Sequence, residues 1–91
     1  MDLIIETKDY KFSLGTIDMS LVCVFLSNEL NLPIDEGVRY ITKKEMKRLI
    51  VYLEKTKLSI KDLKHFESII DRFKNMEMLM EAKEKARLTF F

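Results

Sequence analysis

Hydrophobic and polar positions along this chain follow two different periods. Near the start, Leu3-Ile4-Ile5 is followed by Tyr10-Lys11-Phe12-Ser13-Leu14. In the second stretch Tyr10, Phe12 and Leu14 share one face, and Lys11 and Ser13 share the other. The pattern predicts two short strands joined as a hairpin through Thr7-Lys8-Asp9, with Gly15 ending the second. Ile17 to Leu30 can be read two ways. Met19 to Leu26 contains β-branched and aromatic side chains, but as a strand it would be apolar on both faces. Its boundaries are those of a helix: Thr16 or Asp18 can cap the start, Asn31 can close the end, and Pro33 lies beyond. A run of about fourteen residues also suits a helix better than a strand, so a buried helix is predicted. Asn31 to Gly37 reads as a loop, and Val38-Arg39-Tyr40-Ile41 as a third short strand or extended coil.

In the C-terminal half the period becomes three to four. Thr42 and Glu45 form a capping-box pair, and Met46, Leu49, Ile50 and Leu53 then fall on one helical face. This helix is expected to stop near Lys55 or Thr56. Ser59 and Asp62 suggest a second capping box. It opens a stripe of Leu63, Phe66, Ile69, Ile70, Phe73, Met76 and Met80. Pairs such as Glu81 with Lys85 and Glu84 with Arg87 can extend that helix along an exposed surface. A helix over 60–87 would be about 42 Å long. A compact chain of this size has a radius of gyration of about 12–13 Å, so one end would project or be clasped by another chain.

Composition narrows the class. With 91 residues, one Cys and one His, the chain has room for one domain (1–91), no disulfide framework and no zinc site of Cys and His. Asp2 and Glu6 interrupt any leader-like start. The longest apolar run, Leu21 to Leu26, is far below the roughly 20 residues of a membrane span, so a cytoplasmic protein without membrane contact is expected. Cys23 sits inside that run, remote in sequence from any basic side chain, and reads as a small core residue. His65 has no evident cleft, with Asp62 the one neighbouring carboxylate at a helical offset, and reads as a structural or solvated histidine; neither glycine belongs to a phosphate-binding run, and no serine has a nucleophile context. Neither an enzyme nor a cofactor is expected.

The near-neutral charge, +1 overall, conceals a polarity. Residues 1–36 hold two cations against seven carboxylates, a net of −5; residues 37–64 hold nine against three, a net of +6; residues 65–91 balance. Lys43, Lys44, Lys47, Arg48 and Lys55 occupy the flank of the middle helix away from its apolar stripe, with Val51 among them, and Arg39 precedes them. This basic segment suits an acidic protein surface, or nucleic acid with Tyr40 or Tyr52 stacking on a base; a solvated helix face is the plain alternative. A pI of about 7.8 weighs against nucleic acid. A second set of candidates is apolar: Met78 and Leu79, which point off the core stripe, and Leu88, Phe90 and Phe91. These either fold back on the domain or dock on a partner.

The stretch Tyr10-Lys11-Phe12-Ser13-Leu14-Gly15-Thr16-Ile17-Asp18 resembles the strand-then-helix start of some phage tail assembly chaperones. It covers about a tenth of the chain and contains no specific motif, so it assigns no family. Size and plainness associate the chain with small proteins of phages and other mobile elements. The fold expected is α+β: a short N-terminal hairpin, with room for a third strand, packed on two or three helices, the C-terminal one long. The function expected is a non-catalytic protein-binding module, acting as inhibitor, adaptor or assembly factor on a larger protein or through self-association. The alternative is nucleic-acid binding through residues 39–64.

Overall fold

The computed structural model describes residues 1–57 and 62–91; the Ser59 cap lies outside the described residues. The elements run β1 (Leu3–Glu6), β2 (Lys11–Leu14), α1 (Thr16–Leu30), β3 (Gly37–Thr42), α2 (Lys43–Thr56), α3 (Leu63–Leu79) and β4 (Lys85–Phe90). The fold is α+β. An antiparallel sheet of order β2-β1-β4-β3 packs one face against the helices, and α3 is the longest of these.

The hairpin closes over a two-residue turn, Lys8-Asp9, with the Thr7 N–H donating to the Tyr10 carbonyl at 2.8 Å. Gly15 caps α1 without a side chain, and its carbonyl accepts from the Met19 N–H at 2.8 Å. The expected caps, Thr16 and Asp18, are engaged elsewhere. The Thr16 hydroxyl donates to the Met1 carbonyl, and Asp18 pairs with His65. At the other end Asn31 adopts a left-handed conformation, φ 54°, and the Leu32 N–H reaches back to the Leu26 carbonyl. That is the C-terminal stop expected of an Asn in front of a Pro-containing loop. The Thr42–Glu45 capping box at the head of α2 is complete in both directions.

The long helix over 60–87 is not what forms. α3 ends at Leu79, Met80 turns extended and buried, and residues 81–84 make a turn before β4. Seventeen residues give a helix of about 25 Å, which fits within a body of 34 × 27 × 21 Å, so α3 does not project. The physical reason is the period. Ala86, Leu88 and Phe90 alternate with Lys85, Arg87 and Thr89, and all three apolar side chains are at most 1% exposed in the sheet. Burying Leu88 and Phe90 contributes about 1.5–3 kcal/mol each, far more than the few tenths per ion pair that an extended exposed helix would gain. β4 also joins the two halves of the sheet, pairing with β1 on one side and β3 on the other.

The core is continuous from the sheet (Leu3, Ile5, Leu14, Ile41) into α2 (Met46, Leu49, Leu53) and α3 (Phe66, Ile69, Phe73, Met76). Phe12 meets Phe73 edge-on, with ring centroids 5.0 Å apart. No polar or charged residue is buried among the described residues, and no buried side-chain polar atom lacks a partner there.

The edge strand β3 is shielded at both ends. Paired hydrogen bonds between Asp2 and Phe91 set the alternation in the ladder, which turns the main chain of Val38, Tyr40 and Thr42 outward. The Arg39 guanidinium covers the Val38 carbonyl, and the Glu45 carboxylate covers the Thr42 N–H. Among the described residues this leaves a short stretch around Tyr40 open to another strand, which limits edge-to-edge pairing.

Candidate functional site

α2 buries Met46, Leu49 and Leu53, and among the described residues its opposite face is exposed. That outer face carries Lys44, Lys47, Arg48, Val51 and Lys55, all exposed, with Val51 53% exposed. A groove lies on each side of this ridge. The first, about 440 Å³, runs between α1 and α2 and is lined by Phe25, Glu29, Lys44, Lys47, Arg48, Val51, Tyr52 and Lys55. The second, about 470 Å³, runs between α2 and α3, where Ile50 and Val51 face Met78 across Lys47, Lys74 and Glu77. Val51 and Lys47 belong to both.

The first groove has an aromatic floor. The Phe25 and Tyr52 rings lie 5.4 Å apart, tilted by 39°. The Arg48 guanidinium sits 5.9 Å above the Phe25 ring and 3.6 Å from the Glu29 carboxylate. Phe25 comes from α1, and Glu29 follows it one turn later on the same face. Neither was a candidate from sequence. The signal available was this spacing of four inside the ambiguous apolar run. In the second groove Lys47 is paired with Glu77 at 3.5 Å, and Lys74 reaches Glu54 at 2.6 Å. Glu54 also accepts from Lys57, and these two hydrogen bonds, Lys57 first, hold its carboxyl below the usual glutamate range.

The structure divides the sequence-derived candidates. Lys44, Lys47, Arg48 and Lys55 come together along the first groove. Lys43 is partly covered and donates to the Met80 carbonyl at 2.6 Å, tying α2 to the end of α3. Arg39 takes no part in either groove; its guanidinium pairs with Asp35 and the Val38 carbonyl at the sheet edge. Met78, 71% exposed, borders the second groove, and Leu79 is exposed beside it in sequence. Leu88 and Phe90 are corrected: each is 1% exposed in β4, where the sheet's apolar face meets the helices, so neither offers a contact surface. Phe91 is exposed beyond the end of β4, paired through its main chain with Asp2.

His65 has an orienting partner that sequence spacing could not reveal. Its Nε2 lies 3.0 Å from Asp18 Oδ1, linking the start of α3 to the start of α1. The pair is exposed and lines none of the grooves over α2. Cys23 is partly buried against the core, and that burial pushes its thiol up. Among the described residues no cluster of His, Cys, Asp or Glu could hold a metal ion, and no helix is long and apolar enough to cross a membrane. The grooves over α2 therefore offer cations on a rim and apolar side chains on a floor, a combination suited to recognition. Comparison of the chain with protein-family models, curated proteins and solved structures found no match.

Proposed function

We propose that this chain is a non-catalytic protein-binding module, docking on a larger protein as an inhibitor, adaptor or assembly factor through the outer face of α2. The observation that carries this reading is the position of Val51. It stands half-exposed on the ridge shared by two grooves, with Met78 across one and the Phe25–Tyr52 floor in the other. Apolar side chains rimmed by charge are typical of contact surfaces, and an exposed methionine adapts readily to a partner's shape. Most of the module's remaining apolar side chains are committed to the core.

Nucleic-acid binding through residues 39–64 draws on the same cations. It is the weaker reading because four cations of that segment face carboxylates: Arg39 with Asp35, Lys47 with Glu77, Arg48 with Glu29 and Lys57 with Glu54. The test is affinity capture with the wild-type chain against Val51→Glu and Met78→Glu variants, followed by mass spectrometry. A protein retained by the wild type and lost with Val51→Glu is the expected result. Equal capture by all three chains would remove the α2 face from consideration.

A further inference from the structure

The groove between α1 and α2 constrains what can lie in it. Its lining carries four cations, Lys44, Lys47, Arg48 and Lys55, against a single carboxylate, Glu29. Glu29 already faces Arg48, and Lys47 faces Glu77. Lys44 and Lys55 have no ion-pair partner among the described residues. An occupant must therefore bring negative charge to two sites at opposite ends of the groove and apolar groups to the floor between them.

Both walls are helices, whose main-chain donors and acceptors are largely used internally. The groove consequently gives an extended segment no ladder to join, and the occupant has to satisfy its own backbone. A helix does so, and presents apolar residues at steps of three and four with charges beside them. Lys44, Arg48, Val51 and Lys55 follow the same steps on α2 and span about 17 Å, or three turns of an opposing helix.

We infer that this groove takes an acidic amphipathic helix of the partner protein, its apolar side chains seated on Phe25, Val51 and Tyr52 and its carboxylates on Lys44 and Lys55. The inference rests on the protein-binding reading above and names the chemistry of that partner. A second copy of this chain is a poor occupant. α2 is itself basic, the α1 carboxylates Asp18 and Glu29 face His65 and Arg48, and α3 buries its apolar face. Nucleic acid would meet the cations but leave the aromatic floor to a single stacked base, with Glu29 facing the phosphates.

The experiment is a selection from a random peptide display library on the intact chain, with peptides of roughly 16 residues, long enough for a helix of about 24 Å. The enriched sequences should carry apolar residues at three-four spacing flanked by Asp or Glu. Their Kd should weaken by about tenfold or more for a Lys44→Glu/Lys55→Glu double variant, and also on raising salt. Neither lysine is engaged in an ion pair among the described residues, so circular dichroism and a melting curve should show the double variant folded like the wild type.

Enriched peptides that are neutral or basic, or that bind the double variant equally well, would overturn the acidic-helix inference. If such peptides still lost binding to Val51→Glu, the protein-binding reading would stand without it. No enrichment, or peptides indifferent to both variants, would overturn both. A labelled single-stranded oligonucleotide serves as the counter-probe. Binding of the oligonucleotide that the double variant abolishes, with no acidic peptide enriched, would transfer the groove to nucleic acid.

Discussion

β4 and the outer face of α2 both set apolar side chains among charged ones, and the fold treats them in opposite ways. In β4, Ala86, Leu88 and Phe90 lie between Lys85, Arg87 and Thr89 and are buried completely. On α2, Val51 lies between Arg48 and Lys55 and stays half-exposed, with Met78 of α3 beside it. The cause is what stands on either side. β4 is flanked by β1 and β3, and its apolar side chains join the buried cluster that the sheet shares with the helices. α2 is already satisfied through Met46, Leu49 and Leu53, and among the described residues its other face stays exposed. Side chains of similar hydrophobicity thus contribute to stability in one region and are available for contact in the other.

Four substitutions test this contrast. Phe90→Ala should cost about 3–5 kcal/mol, measured by urea unfolding, because it opens a cavity where β4 meets the core. A loss below about 1 kcal/mol would mean that β4 does not hold the two halves of the sheet together. Thr42→Ala should cost about 1 kcal/mol by removing the hydroxyl that accepts from the Glu45 N–H at the head of α2. An unchanged stability would show that the frame presenting the basic ridge does not depend on its cap.

Glu84→Gln should have a smaller, pH-dependent effect. The Lys8 and Glu81 N–H groups donate to the Glu84 carboxylate and hold it below the usual glutamate range. Its stabilisation is therefore fully present above the ordinary glutamate pKa and is lost as pH falls through the lowered folded value. The stability gap between the wild type and Glu84→Gln should close on acidification within that window. A gap that widened there would contradict the clasp between the first hairpin and the turn before β4. Val51→Ser should change stability least, by less than about 0.5 kcal/mol, while reducing capture of a partner. A loss approaching that of Phe90→Ala would erase the distinction between the two regions.

Local chemistry was readable where it was self-contained. The alternation of Tyr10, Phe12 and Leu14, the Thr42–Glu45 box, the stop at Asn31 and the stripe from Phe66 to Met76 each rest on neighbours within a few residues. The sequence therefore determined the hairpin, the start of α2, the apolar stripe of α3, the α+β class and the gathering of lysines on one side of α2, and it favoured a helix over a strand for 17–30. The fate of residues 80–90 was not readable in that way. Glu81-Ala82-Lys83-Glu84 is made of good helix formers, and only the vacancy between β1 and β3 makes the alternation of Ala86, Leu88 and Phe90 decisive.

The candidate site divides along the same line. Lys44, Lys47, Arg48, Lys55 and Met78 were visible as residues, because charge and periodicity are local properties. The tertiary structure alone brought Phe25 and Glu29 of α1 against them, withdrew Arg39 to the sheet edge, and buried Leu88 and Phe90. A groove is a relation between two elements, and its walls here come from segments separated by a loop and a strand. Their approach is set by how helices pack over a common sheet, which no short stretch of sequence encodes.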